Sequence, residues 1–130
     1  MLRTQIIAAF ISVSCISFNV LGASAQDADK GAQVFHKCQA CHVADQDTNR
    51  VGPSLKGVIG RTAGTYAGYS YSSAMKEAGA GGLVWNDDTL SKYLRKPKDM
   101  VPKTKMAFAG LKSDDEIADV IAYLKTFSTH

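Results

Sequence analysis

The sequence predicts an all-α fold of short helices joined by long loops. Three observations carry this. Near the carboxyl end, Ile117, Val120, Ile121 and Leu124 fall at helical spacing and form one apolar stripe. No run of residues alternates as a half-buried strand requires. Two stretches without helical period, about 43–71 and 97–112, are long for connections in a compact helical domain, so they should serve a function. Wrapping a bound group is one such function.

Taken in order, residues 1–25 read as a cleaved secretory signal, not as structure. Arg3 supplies the positive start, IIAAFISVSCISFNVLG the apolar stretch, and Ala23-Ser24-Ala25 the small residues before a cut at Gln26. The alternative is a retained anchor. Against it, the apolar stretch falls short of the ~20 residues a span needs, and Ser12, Ser14, Ser17 and Asn19 dilute it. A first helix is expected over about Lys30 to Cys41, with Val34 and Phe35 as its apolar residues. A short one should run from Ser72 towards Ala78, and Gly79-Ala80-Gly81-Gly82 should form a turn. The next begins near Asp87 or Asp88, places Leu90, Tyr93 and Leu94 on one face, and ends by Pro97. In the last, Ser113 and Glu116 have the spacing of a capping box, and its early acids suit the helix dipole.

The 130 residues suggest one domain, spanning 26–130 once the signal leaves. Without Arg3, that part carries 14 basic and 12 acidic side chains, a net charge of +2. So small a charge, with no basic run among aromatics, argues against nucleic acid as a partner. A domain of this size buries a limited fraction of its surface, and a large apolar cofactor inside it would help. Cys15 leaves with the signal, so the mature chain keeps Cys38 and Cys41 alone. A bridge between them would close too small a loop to stabilise much.

Those two lie in His36-Lys37-Cys38-Gln39-Ala40-Cys41-His42. A thioredoxin-like disulfide needs a βαβ setting that is missing here. A zinc site needs four converging ligands, and adjacent Cys41 and His42 cannot easily share one tetrahedral ion. Covalent haem attachment uses every feature of the spacing. Two thiols three positions apart can each add to one vinyl group of the porphyrin. His42 then lies against the ring face. Export also suits attachment outside the cytoplasm. The sixth iron position has five candidates: Met75, Met100, Met106, His36 and His130. A methionine is more often a gap-filler than a ligand. Met106 sits in PKTKMAFAG, an irregular loop restrained by Pro102 and Gly110, as a ligand loop should be.

From GAQVFHKCQACH through GPSLKGVIGR, AGYSYSSA, Val84-Trp85, LSKYLRKPK and VPKTKMAFAGL to IADVIAYLK, the chain resembles the class I cytochromes c. These are mitochondrial cytochrome c and its short periplasmic bacterial relatives. The resemblance is collinear over nearly all of 26–130. It implies the small class I cytochrome c fold around one haem c, covalent through Cys38 and Cys41. It implies His42 and Met106 as the iron ligands, with the Pro53 carbonyl on the other His42 ring nitrogen. Arg61, Tyr71 and Trp85 match residues around the haem propionates, and Tyr93 and Thr104 match the pair near the methionine sulfur. Gly31, Phe35, Val120 and Tyr123 match a contact between the first and last helices. Two positions depart from the family pattern: Met75 stands where many relatives have Asn, and Lys103 replaces the usual Gly before Thr104.

The expected function is one-electron transport in the periplasm, without enzymatic turnover. His/Met ligation raises the potential, because a thioether favours ferrous iron. The resemblance implies a quinol-oxidising cytochrome complex as donor, and a terminal oxidase or photosynthetic reaction centre as acceptor. Lys37, Lys96, Lys98, Lys105 and Lys112 are the candidates for docking a monomer transiently on such membrane-bound complexes. The competing functions are a haem enzyme or gas sensor with an open sixth position, and a redox disulfide protein.

Overall fold

The computed structural model describes residues 26–128. The signal expected at 1–25 and His130 lie outside them. Five helices follow one another: α1 (Ala28–Phe35), α2 (Ser73–Ala80), α3 (Asp87–Arg95), α4 (Pro97–Met100) and α5 (Asp114–Lys125). Among the described residues the only β-type pairing is one isolated antiparallel bridge, Thr62 to Val84. No described helix is long and apolar enough to cross a membrane.

Helix α1 starts earlier and stops sooner than the sequence predicts. The Asp27 carboxylate accepts from the N–H groups of Asp29 and Lys30 at 3.0 and 3.1 Å and so fixes the start. After Phe35 the bonding tightens, with Lys37 N to Val34 O at 3.0 Å and Cys38 N to Phe35 O at 2.8 Å. These three-residue closures end the α-helix. The cysteines therefore stand on a run of turns, not on a helix. Helix α2 is capped by the Ser72 hydroxyl, which accepts from Met75 N at 3.1 Å. It runs through Gly79 and Ala80, so only Gly81 and Gly82 form the turn expected over 79–82.

At α3, Asn86 and Thr89 each bond the other's backbone N–H at 2.9 Å. This is the complete capping box of the molecule, at a helix where the sequence did not announce one. Pro97 follows the break at Lys96 and also opens α4, at a first-turn position where its missing N–H costs nothing. At α5, Ser113 accepts from Glu116 N at 3.3 Å as expected. The Glu116 carboxylate turns away from the cap, however, and takes Lys37 Nζ at 2.5 Å. That pair ties the cysteine segment to the last helix.

Helices α1 and α5 pack together, as the resemblance implied. The Phe35 and Tyr123 rings meet at 5.2 Å between centroids. A Cβ on Gly31 would stand 2.8 Å from Tyr123 Cβ and 2.6 Å from the Asp119 carbonyl carbon, so only glycine fits this crossing. Asp27 N donates to Asp119 Oδ1 at 2.8 Å beside it. On α5, Ile117, Val120, Ile121 and Leu124 are all buried. Each contributes about 1.5–3 kcal/mol by leaving water. The long loops close on the helices through backbone bonds, among them Trp85 N to Arg61 O at 2.9 Å and Leu111 N to Leu94 O at 2.8 Å.

Candidate functional site

One cavity gathers all ten residues singled out above: Cys38, Cys41, His42, Pro53, Arg61, Tyr71, Trp85, Tyr93, Thr104 and Met106. Its apolar wall is made by Phe35, Val58, Leu90, Leu94, Val120 and Leu124. The helices supply that wall except for Val58, and the two long loops supply most of the polar groups.

Cys38 and Cys41 are half-buried free thiols. Burial pushes the Cys38 thiol up, with Lys37 opposing. Among the described residues, no group of three or more His, Cys, Asp or Glu side chains could hold a metal ion. His36 is exposed on the surface.

His42 donates from Nδ1 to the Pro53 carbonyl at 2.8 Å. This bond sets the tautomer and leaves the Nε2 lone pair for a ligand. Burial pushes the imidazole pKa below its ordinary value, and the Pro53 bond opposes the shift. The ring is therefore neutral at neutral pH. Gly52 makes room for it: a Cβ there would come within 2.8 Å of both ring nitrogens. No role for Gly52 was derived from the sequence, although it opens the GPSLKGVIGR stretch.

Two of the candidate methionines, Met75 and Met106, line the cavity. Met75 is buried within α2 and belongs to the core. Met106 stands in a loop whose groups are aimed at it. Tyr93 donates its hydroxyl to Met106 Sδ at 3.5 Å. The Thr104 hydroxyl lies 3.2 Å from that of Tyr93 and accepts from Met106 N at 3.3 Å. Lys105 Nζ donates to Ser70 O at 2.9 Å and anchors the loop across the cavity mouth. Lys103 has a φ of 63°, and it is the one non-glycine residue with positive φ among those described.

Arg61 is half-buried and donates to Ser54 O at 2.9 Å and to Lys56 O. Burial disfavours its charge, with Tyr71 and Tyr66 opposing. Among the described residues, no carboxylate pairs with this guanidinium. Tyr71 accepts from Tyr66 N at 3.3 Å, and burial raises its phenol pKa. Trp85 is buried, with its ring 4.9 Å from that of Tyr93. An apolar chamber with two thiols, one imidazole, two thioethers and a guanidinium that no carboxylate pairs fits a flat apolar macrocycle bearing acidic side arms.

The sequence profile of the family described as cytochrome c matches residues 28–128. The chain belongs to the cytochrome c family. It is 52% identical to cytochrome c2 of Afifella marina over 100 residues, which cover 76% of this chain and 81% of that protein. It is 50% identical to cytochrome c-550 of Ancylobacter novellus over 100 residues, 76% of this chain and 94% of that one. The solved structure of cytochrome c2 from Rhodospirillum centenum superposes with a TM-score of 0.75 at 42% identity, covering 79% of this chain and 99% of that one. The fold is thus the small class I cytochrome c fold, and the protein transfers electrons rather than turning over a substrate. Its cofactor is haem c, attached through Cys38 and Cys41, and its partners are redox complexes.

Of the five candidate docking lysines, all are exposed. Lys37 and Lys105 line the cavity itself. Lys96 and Lys98 line a surface depression beside Ala107 and Phe108. Lys37 and Lys96 are partly neutralised, by Glu116 at 2.5 Å and Asp99 at 3.6 Å.

Proposed function

We propose that the mature chain is a monomeric one-electron carrier of the periplasm, in which His42 and Met106 would hold the haem iron. It shuttles between a quinol-oxidising cytochrome complex and a terminal oxidase or photosynthetic reaction centre. The supporting observation is the pair of restrained donors at one cavity: His42 with Nδ1 committed to Pro53, and Met106 with Sδ bonded by Tyr93.

When bound, the haem supplies the one-electron couple. The chain does the rest. His42, tied to Pro53, and Met106, bonded by Tyr93, would hold the iron from restrained positions, which would keep reorganisation on transfer small. Arg61 and Tyr71 present a cation and a hydroxyl to the cofactor's acids. Phe35, Leu90, Leu94 and their neighbours exclude water, which strengthens every electrostatic term inside. Lys37, Lys96, Lys98, Lys105 and Lys112 steer the exposed edge towards acidic partners. Residues 1–25 direct export and are removed.

The oxidised absorbance spectrum tests the ligation. A methionine–iron charge-transfer band in the far red is expected, and Met106→Ala should abolish it while Met75→Leu keeps it. Absence of the band in the native protein, with avid carbon monoxide binding by the reduced form, rejects the carrier function. For docking, the association rate with a redox partner should fall as ionic strength rises. A flat rate rejects the lysine assignment.

A further inference from the structure

Arg61 cannot hold its position alone. Its stem enters from an irregular loop, and two carbonyls fix only the edge of the guanidinium. The face is covered by Tyr66, whose ring centroid lies 4.4 Å from Arg61 Cζ. Tyr66 is in turn held at two points, its hydroxyl and its backbone N–H. Its hydroxyl donates to Asp47 Oδ1 at 3.1 Å. The other Asp47 oxygen takes Lys56 Nζ at 2.7 Å. Its backbone N–H donates to the Tyr71 hydroxyl at 3.3 Å.

Tyr66 does not line the cavity, yet it touches both polar groups that do so here, Arg61 and Tyr71. Asp47 is well placed to compete for Arg61, but Lys56 and Tyr66 occupy both of its oxygens. Asp47 acts on the Arg61 charge from nearby but forms no ion pair with it. We propose that Tyr66, held by Asp47, is a positioning residue for Arg61 that keeps the guanidinium charge aimed into the haem cavity. This rests on the cavity holding a haem whose acids Arg61 faces.

The consequence is electrical. A cation kept at one place near the iron favours the reduced state, which carries one positive charge fewer. Releasing the guanidinium to solvent screens it and lowers the midpoint potential. Backbone bonds, including Tyr66 N to Tyr71, are untouched by side-chain substitution, so the effect should travel through Arg61 alone.

The test is a double-mutant cycle on the haem-loaded protein. Tyr66→Leu should lower the midpoint potential, and Tyr66→Phe should lower it less. Neither should shift it further in an Arg61→Leu background. A second readout is solvent exchange of the Arg61 guanidinium protons by NMR, which should quicken about two- to fivefold in Tyr66→Leu. Asp47→Asn should quicken the guanidinium exchange as Tyr66→Phe does, while its potential also carries the opposite effect of losing a negative charge. If Tyr66→Leu loads haem poorly, Tyr66→Phe carries the potential measurement and Asp47→Asn the exchange measurement. An unchanged potential and exchange rate, or an equal potential drop with Arg61 absent, overturns the proposal. Loss of the far-red band from the native protein is a different failure, and it strikes the ligation assignment instead.

Discussion

Replacing Lys103 by glycine should stabilise the protein. Lys103 follows Pro102, and Thr104 N bonds Val101 O at 3.1 Å across the two. With Pro at the second position and φ of 63° at the third, the segment has the form of a type II turn. That third position favours glycine. An L-residue there suffers a clash of its Cβ with the backbone worth about 1–2 kcal/mol. Glycine removes the clash but frees the unfolded chain, which returns about 0.4–1 kcal/mol. The net gain is centred on about 0.8 kcal/mol, within about 0–1.6, and the central value is worth about 3–6 °C in melting temperature for a domain of this size. Thermal and denaturant unfolding of the oxidised holoprotein measures it. Lys103→Gln removes the charge and keeps the Cβ, so it should gain little. If Lys103→Gln gains as much as Lys103→Gly, charge and not backbone strain governs this turn, and the reasoning fails.

Three more outcomes follow from the geometry. Thr104→Val strips the acceptor from Met106 N and the partner from Tyr93, and should destabilise by about 1–3 kcal/mol, with the far-red band lost at lower denaturant. Gly52→Ala drives a methyl into the His42 ring and should cost about 1–3 kcal/mol or block haem loading, seen as lost Soret absorbance per protein. At Asp27, bonds from the N–H groups of Lys30 and Asp29 hold the carboxyl below its ordinary value. Its stabilisation is therefore present above the unfolded carboxyl pKa and lost as pH falls through the lower folded one. The stability gap between native protein and Asp27→Ala should close on acidification below about pH 4, as unfolding midpoints against pH will register.

Local signals carried much of the fold. Ser113 before an apolar stripe placed the start of α5 to the residue, because the cap and the period are both short-range. Helix α1 was placed less well. Its true cap, Asp27, was passed over, and its end at Phe35 depends on bonds tightening over residues 36–41. Nothing in the residue types there forbids a longer helix. Glu116 shows the same limit from the other side. Its spacing from Ser113 announced a capping box, but Lys37, 79 residues away, captured the carboxylate.

The sequence by itself determined the chemistry of this protein. Cys38, Cys41 and His42 are adjacent, so their joint meaning is local, and collinear resemblance extended it to the other seven site residues. Only the tertiary structure decided how those residues are held. It placed Gly52 under the His42 ring, aimed the Tyr93 hydroxyl at Met106, and laid Tyr66 over Arg61 with Asp47 behind it. Each of these joins segments that are remote along the chain. The physical reason is that a hydrogen bond or ring contact depends on distance in space, and that distance exists only once the long loops have closed around the cavity.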